Sequence, residues 1–229
     1  MTFFSNLIDL IYPKLCPVCD EPLTKGENGV CIKCLYGLHR TPFTESANDT
    51  EKLLWGRFPI GRGGSYCKFV KGGISQKLLH EIKYHGNKKL ATILGREMGR
   101  EIANSGIPFD FIVPVPLHKD KLKKRGYNQS LLLALGMNEV SGIAINDSCL
   151  KRIVANPSQT KTTEGAFGRW ENTRGIFAAD KAGSLQLENK HILLVDDVIT
   201  TGSTIEACCH ALENIAGIKI SFYCLSAVE

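Results

Sequence analysis

The sequence lacks the features that most directly assign a function. No stretch approaches the roughly 18 apolar residues that a membrane-spanning helix requires. Neither the G-x-x-x-x-G-K-[ST] loop of nucleoside triphosphatases nor a G-x-G-x-x-G motif after a strand is present. Low-complexity tracts are absent as well. We therefore expect no membrane span, no P-loop chemistry and no dinucleotide cofactor.

The chain also has too little excess charge to indicate a partner. Its 229 residues carry a formal net charge of +5, with 22% charged and 43% hydrophobic residues. These values are typical of a globular protein with one sizeable core and a small appendage. A polyanionic ligand is compatible with this balance but not required by it.

The N-terminal segment MTFFSNLIDLIYPKLC has no signal-peptide pattern, because no basic region precedes its apolar residues and Asp9 interrupts them. We predict a short amphipathic helix that docks on another surface, and a cytoplasmic location. An interfacial membrane helix is the alternative, although its polar face carries no Lys or Arg. The helical spacing comes from Phe3, Phe4, Leu7, Ile8 and Ile11.

Four of the nine cysteines have the spacing C-x2-C-x11-C-x2-C. Each C-x2-C pair can present two thiolates on one tight turn, and two such turns complete a tetrahedral zinc site. With every position filled by protein, we expect structural Zn²⁺ in a ribbon over residues 1–45. Because the ribbon has few basic side chains, a protein or interdomain contact is favoured over DNA readout. The predicted ligands are Cys16, Cys19, Cys31 and Cys34.

Beyond a polar, turn-rich boundary near residues 42–52, strand and helix patterns alternate. This alternation predicts an α/β domain over residues 52–229, with a mostly parallel sheet flanked by helices. The predicted helices are 74–86, 88–106, 128–142 and about 203–214, and the predicted strands are 109–117, 192–195 and 218–225.

Asp196 and Asp197 follow a near-continuous apolar run, Ile192 to Val195, which is typical of a parallel strand buried on both faces. Parallel sheets bind ligands beyond the carboxyl ends of their strands, so we expect both carboxylates in a ligand crevice. Neighbouring carboxylates repel each other and lose hydration there, a cost that a cation or hydroxyl donors would offset. A sugar diol, with or without Mg²⁺, supplies such partners.

The next residues, Thr200, Thr201, Gly202, Ser203 and Thr204, lead into a predicted helix. Backbone N–H groups at a helix N-terminus, a glycine and several hydroxyls form a cradle for a phosphate monoester. A diol and a phosphate together describe a ribose 5-phosphate. A plain turn with a Ser/Thr cap would explain the helix start but not the doubled aspartate.

A basic segment follows another predicted strand, which suggests that it reaches the same sheet edge. We interpret it as a basic loop that binds pyrophosphate through cationic and backbone donors. A solvated loop is the alternative, and the neighbouring Tyr127 would also suit a nucleic-acid backbone. The candidate residues are Lys119, Lys123, Lys124, Arg125, Gly126, Asn128 and Gln129, with Lys121 adding a further charge.

The stretch LLVDDVITTGST resembles the phosphoribosyl-pyrophosphate motif of type I phosphoribosyltransferases. The resemblance implies that Asp196 and Asp197 hold the ribose hydroxyls, and Thr200 to Thr204 the 5-phosphate. It also implies a flexible loop that closes on the substrate, and residues 152–177, which have little apolar periodicity for their length, are the candidate. Gln159, Arg169 and Asn172 are the polar candidates on this loop, with a purely structural role for each as the alternative.

Over essentially its full length, the chain resembles the ComF family, the competence-associated ComFC/GntX-like proteins. The ribbon and the stretches PVPLHKDKLKKRGYNQ, SQT, RWEN and DDVITTGST carry this resemblance. It implies a cytoplasmic zinc ribbon joined to a phosphoribosyltransferase domain that uses Mg²⁺, linked to uptake and processing of transforming DNA. Single-stranded DNA, a DNA-uptake helicase and other competence proteins are the partners it implies.

Two further expectations concern activity. Residue 2 is Thr and the N-terminus is a ribbon, so glutamine hydrolysis by an N-terminal cysteine is not expected. The rival to a phosphoribosyltransferase is a single-stranded DNA-binding uptake factor that kept the fold without turnover.

We expect His80 and His85 at the surface or in packing. The cysteines that we expect in the core are Cys67, Cys149, Cys208, Cys209 and Cys224.

Overall fold

The computed structural model describes residues 13–154 and 175–228. Its strands are β1 (Gly63–Lys68), β2 (Phe111–Pro114), β3 (Ala144–Ile145), β4 (Leu150–Arg152), β5 (Phe177–Ala179), β6 (His191–Ile199) and β7 (Lys219–Ala227). Five of them form a parallel sheet in the order β1-β7-β6-β2-β3. The remaining two, β4 and β5, form an antiparallel pair beside it.

Helices connect the strands of the parallel sheet and cover both of its faces. They are α1 (Ile32–Tyr36), α2 (Asp49–Lys52), α3 (Ile74–Tyr84), α4 (Lys88–Ala103), α5 (Lys119–Arg125), α6 (Gln129–Ser141), α7 (Lys181–Ser184) and α8 (Ser203–Leu212), with a 3-10 turn at Leu185–Leu187. The predicted α/β class is confirmed. Among the described helices, none combines the length and hydropathy that a membrane span needs.

The central strand β6 has two buried faces because alternate residues enter different cores. Leu193 and Val195 belong to the core that includes residues of α3, α4 and α6. Ile192 and Leu194 belong to the core that includes residues of α8. The unbroken apolar run therefore reflects a strand sandwiched between two helical layers, as the sequence predicted.

The strand that carries the acidic pair is longer than predicted. We expected it to end at Val195, but β6 continues to Ile199 because β7 extends alongside it and pairs with it to its last residue. On the other side, the pairing with β2 stops where Pro114 meets Val195. Asp196 and Asp197 thus lie on the part of β6 that extends beyond the end of β2, at the carboxyl edge of the sheet.

The four-cysteine segment packs directly on the body of the protein. Its residues Cys16, Cys31 and Cys34 lie in the same core as α3 and α4. The Lys77 ammonium of α3 donates a hydrogen bond to the Val18 carbonyl at 2.8 Å. Downstream, Arg40 forms an ion pair with Glu101 of α4 at 2.7 Å. The segment therefore shares a core with α3 and α4, while the two-domain division and its boundary near residues 42–52 stay predictions.

Helices α4 and α6 approach so closely that only glycine fits between their backbones. A Cβ at Gly136 would lie 2.1 Å from the Thr92 carbonyl oxygen, and one at Gly95 would lie 2.2 Å from that of Leu133. Heavy atoms cannot approach this closely, so an added methyl would force the two helices apart. This crossing fixes α6, whose first turn faces the acidic pair.

We expect Gly136→Ala to destabilise the protein by about 1–3 kcal/mol, because the new methyl overpacks the crossing. A loss of stability would be diagnostic of the close contact, because alanine in an open helical position is favoured over glycine by about 1 kcal/mol. Urea unfolding measures the difference. Arg100→Ala on the exposed side of α4 is the control, with an expected change within about 0.5 kcal/mol. An unchanged or increased stability for Gly136→Ala would contradict the close crossing.

Candidate functional site

The acidic pair is held by groups from three different elements. The Asp196 carboxylate accepts hydrogen bonds from the Ser130 hydroxyl of α6 at 2.9 Å and from the Asp197 backbone N–H at 2.8 Å. The Asp197 carboxylate forms an ion pair with the Lys83 ammonium of α3 at 3.0 Å. Sequence reasoning did not identify Ser130 or Lys83, because neither is near the pair in the chain.

The two carboxylates are electrostatically costly, as the sequence suggested. Burial, followed by the charge of Asp197, raises the pKa of Asp196 to about 7. The hydrogen bonds from Asp197 and Ser130 and the positive charge of Lys83 offset this only in part. Without a further partner, Asp196 therefore keeps a proton at pH values at which an ordinary aspartate is fully ionised.

The hydroxyl-rich loop adjoins the acidic pair and begins α8. Gly202 adopts a φ of +78° as the N-cap residue and provides no side-chain cap for the first turn. The N–H groups at this helix end are therefore left for a ligand or water. The Thr201 and Ser203 hydroxyls lie 2.9 Å apart. Asp196 and residues 198–205 together line a concave site.

This loop is also supported by an ion pair that the sequence did not reveal. Arg57, in the segment after α2, donates hydrogen bonds to the Thr201 carbonyl and to the Glu206 carboxylate in the first turn of α8. Glu206 is buried, with 3% of its side chain exposed. The Arg57–Thr201 contact joins residues 144 positions apart, so no local pattern could signal it.

The basic segment is a helix and not the loop that we predicted. Helix α5 runs from Lys119 to Arg125 and ends at Gly126, which has a φ of +79°. Lysine, leucine and arginine are good helix formers, and a left-handed glycine is a common helix terminator. The run of charge, which we interpreted as a pyrophosphate-binding loop, therefore misled the prediction of local structure.

One face of α5 lines a cleft of about 320 Å³ beside the acidic pair. Lys121, Lys124 and Arg125 are spaced as one helical face and all line this cleft. The predicted residues Lys119 and Lys123 are exposed and are not among its lining residues. The other lining residues are Lys83, Tyr84, Gly86 and Tyr127.

The positive charges in this cleft are close enough to act on one another. Burial, followed by the charges of Arg152, Arg125 and Lys83, lowers the pKa of Lys121, and the charge of Asp197 acts in the opposite direction. Lys121 therefore lies within electrostatic reach of both the basic groups and the acidic pair. Cations from α3 and α5 line the cleft, and the sequence indicated only those of α5.

Of the remaining predicted polar residues, Asn128 has structural contacts. It caps α6 by accepting from the Ser130 N–H at 3.1 Å, and it donates to the Val115 carbonyl at 3.0 Å. Asn128 therefore helps to orient Ser130 toward Asp196. Gln129 is 1% exposed in the first turn of α6, and neither polar atom of its side chain has a hydrogen-bond partner among the described residues. The lid candidates Gln159, Arg169 and Asn172 and the predicted N-terminal helix lie outside the described residues.

The four predicted zinc ligands converge. The Sγ atoms of Cys16, Cys19, Cys31 and Cys34 all lie within 4.8 Å of one another. The Cys19 and Cys31 sulfurs are 3.7 Å apart. Tetrahedral Zn²⁺ with Zn–S bonds of about 2.3 Å separates its sulfurs by about 3.8 Å, so the donor set fits that ion.

The electrostatics of this cluster also fit a cation. Burial and hydrogen bonds with neighbouring thiols raise the pKa of Cys34 well above its ordinary value. Burial likewise raises the pKa of Cys31. Because four thiolates crowded together repel one another, the cluster favours full ionisation only with a metal ion at its centre.

The other cysteines and the two histidines behave as predicted. His80 and His85 are exposed, and His85 contacts Glu81 at 2.5 Å. The buried cysteines are Cys67, Cys149, Cys208, Cys209 and Cys224.

Comparison with known proteins agrees with this arrangement. A family model described as phosphoribosyl transferase domain matches residues 153–228, which include the acidic pair and the hydroxyl loop. DNA utilization protein YhgH of Salmonella typhi is 26% identical over 230 residues, covering 94% of this chain and 98% of that protein. Its Escherichia coli counterpart is 25% identical over 240 residues with the same coverage.

Competence protein F of Haemophilus influenzae is 31% identical over 117 residues, which cover 50% of this chain and 49% of that protein. Among solved structures, the allosteric regulatory enzyme of purine biosynthesis aligns with a TM-score of 0.40 and 21% identity, covering 59% of this chain and 25% of its own. A Staphylococcus aureus hypoxanthine phosphoribosyltransferase aligns with a TM-score of 0.36 and 12% identity, covering 60% and 72%.

The resemblance inferred from the sequence is confirmed by these relatives, by the matched domain and by the four-cysteine cluster. The chain is a homologue of DNA utilization protein YhgH and competence protein F that joins a phosphoribosyl transferase domain to an N-terminal four-cysteine cluster.

Proposed function

We propose that this protein binds phosphoribosyl pyrophosphate together with Mg²⁺ in the crevice around the acidic pair. The observation that carries the proposal is the order of charges at the carboxyl edge of the sheet. The acidic pair lies between an uncapped helix N-terminus on one side and a cluster of cations on the other. A ribose that carries a phosphate at one end and a pyrophosphate at the other matches that order.

Each part of the ligand has matching groups. Asp196 and Asp197 accept hydrogen bonds from the two ribose hydroxyls, which relieves the cost of burying neighbouring carboxylates. Residues Thr200 to Thr204 bind the 5-phosphate through hydroxyls and the first N–H groups of α8. The pyrophosphate then lies toward the cleft lined by Lys83, Lys121, Lys124 and Arg125.

The donor set at the acidic pair fits Mg²⁺. This ion prefers oxygen ligands and is commonly bound by one or two carboxylates together with substrate phosphates. Asp197 presents a carboxylate paired with Lys83, and Asp196 lines the concave site next to it. When bound, Mg²⁺ supplies positive charge that offsets the pyrophosphate. Lys83 would then be available to the pyrophosphate side of the crevice.

Calorimetry with phosphoribosyl pyrophosphate and Mg²⁺ tests this assignment. We expect Asp196→Asn combined with Asp197→Asn to weaken binding at least about tenfold, because hydrogen bonds to charged groups contribute about 1.5–3 kcal/mol each. Asp49→Asn on α2, an exposed carboxylate paired with Lys52, is the control and should bind as the wild type does. Equal binding by the double variant and the wild type would refute the site.

We further propose that the four-cysteine cluster binds one structural Zn²⁺, supported by its converging sulfurs. A cytoplasmic location belongs to the same proposal, since reduced thiols of this kind persist in reducing compartments.

Elemental analysis of the purified protein should find about one zinc per chain. Cys31→Ser should lose the metal and destabilise the segment that packs on α3 and α4. Cys67→Ala, which alters a buried cysteine outside the cluster, should keep it. Full metal content in Cys31→Ser would overturn the assignment.

Single-stranded DNA binding is a second candidate function, favoured by the exposed outer residues of α5. Lys119 and Lys123 do not line the cleft and so remain for a second polyanion. The relatives are named for DNA utilization and competence. In this role the exposed face of α5 would bind the DNA backbone, beside the phosphoribosyl pyrophosphate crevice.

If so, an oligonucleotide should bind with an affinity that falls as salt rises, and Lys119→Gln plus Lys123→Gln should reduce both the affinity and its salt slope. Fluorescence anisotropy with a labelled single strand measures both. Lys89→Gln, which changes an exposed lysine on α4, is the control. Salt-independent binding, or none, would eliminate this candidate.

A further inference from the structure

The hydroxyl-rich loop, residues 200–204, is supported by a partly buried ion pair whose members, Arg57 and Glu206, lie outside it. The Arg57 guanidinium donates hydrogen bonds to the Leu53 carbonyl at 3.0 Å, to the Thr201 carbonyl and to the Glu206 carboxylate. Exposed fractions are 32% for the Arg57 side chain and 3% for that of Glu206. One guanidinium thus joins the segment after α2, the loop and the first turn of α8.

The position of Glu206 creates an electrostatic conflict. Glu206 lies in the first turn of α8, where the positive end of the helix dipole favours any negative charge. The 5-phosphate of the proposed function would bind at this same helix end. A buried carboxylate there would repel the phosphate, and the repulsion is strong because burial limits screening by water.

Arg57 resolves this conflict and also fixes the shape of the loop. Its charge is paired with Glu206, so the helix end presents no uncompensated carboxylate. Its hydrogen bond to the Thr201 carbonyl engages that oxygen and ties the loop to the segment after α2. Gly202 packs against the same segment, since a Cβ there would lie 2.8 Å from Leu54 Cδ2 and 3.3 Å from Arg57 Nη1.

We propose that Arg57 is a positioning residue for the phosphate site, acting by neutralising Glu206 and by holding the Thr201 carbonyl. This inference rests on the proposed function, because it requires a phosphate at the N-terminus of α8. It assigns a role in the site to the segment between α2 and β1, which carries no recognisable motif. Arg57 itself does not touch the ligand.

Calorimetry of the full-length, zinc-loaded protein with ribose 5-phosphate tests the proposal, because this probe lacks the pyrophosphate. We expect Arg57→Gln to weaken binding about tenfold or more, since it leaves a buried carboxylate beside the phosphate. Arg57→Gln combined with Glu206→Gln should regain most of the affinity. Arg62→Gln is the matched control, because Arg62 lies on the same segment and pairs instead with Glu51.

The outcomes separate this inference from the proposed function. No binding of ribose 5-phosphate or phosphoribosyl pyrophosphate by the wild type would refute the proposed function itself. Wild-type binding with equal binding by Arg57→Gln would overturn only the role of Arg57. A double variant as weak as Arg57→Gln would overturn charge neutralisation.

Should Arg57→Gln fail to fold, the double variant still tests the proposal, since it removes both charges and leaves none buried alone. Compared with the wild type, the double variant should then lose less than about threefold in affinity, equivalent to under about 0.7 kcal/mol. A tenfold loss in that comparison would overturn charge neutralisation as the main role of Arg57.

Discussion

Two adjacent carboxylates at the end of β6 impose the constraint on which the rest of the site depends. Burial, followed by the charge of Asp197, disfavours the ionisation of Asp196 and raises its pKa. The fold supplies compensation from separate elements, through the Ser130 hydroxyl of α6 and the Lys83 ammonium of α3. Helix α6 is in turn fixed by its glycine contact with α4. These groups compensate the cost of the carboxylates only in part, and a bound diol and cation would supply the remaining compensation.

The sheet topology explains why these groups meet. Strands β6 and β2 are parallel neighbours, so the segments that follow them leave from the same edge. The hydroxyl loop and α8 follow β6, while α5 and α6 follow β2. Along this one edge of the sheet, a helix N-terminus, an acidic pair and a set of cations therefore follow one another in space.

Features encoded locally in the sequence were predictable. The buried strand, the acidic pair, the start of α8 at Ser203 and the four-cysteine spacing all follow from short patterns and agree with the structure. Contacts between distant segments were not predictable, because Lys83 and Arg57 have no motif around them and meet their partners only in the folded chain. The helical state of α5 was missed because a dense run of lysines is typical of solvated loops as well.

We propose above all that the acidic pair binds the diol, and the N-terminus of α8 the 5-phosphate, of one ribose. A crystal structure of the zinc-loaded protein with phosphoribosyl pyrophosphate and Mg²⁺ tests this most directly. We expect the ribose hydroxyls on Asp196 and Asp197, the 5-phosphate on residues 200–204 and the pyrophosphate facing Lys83 and α5. Electron density for the ligand elsewhere, with the Lys83–Asp197 ion pair intact and the loop empty, would contradict it.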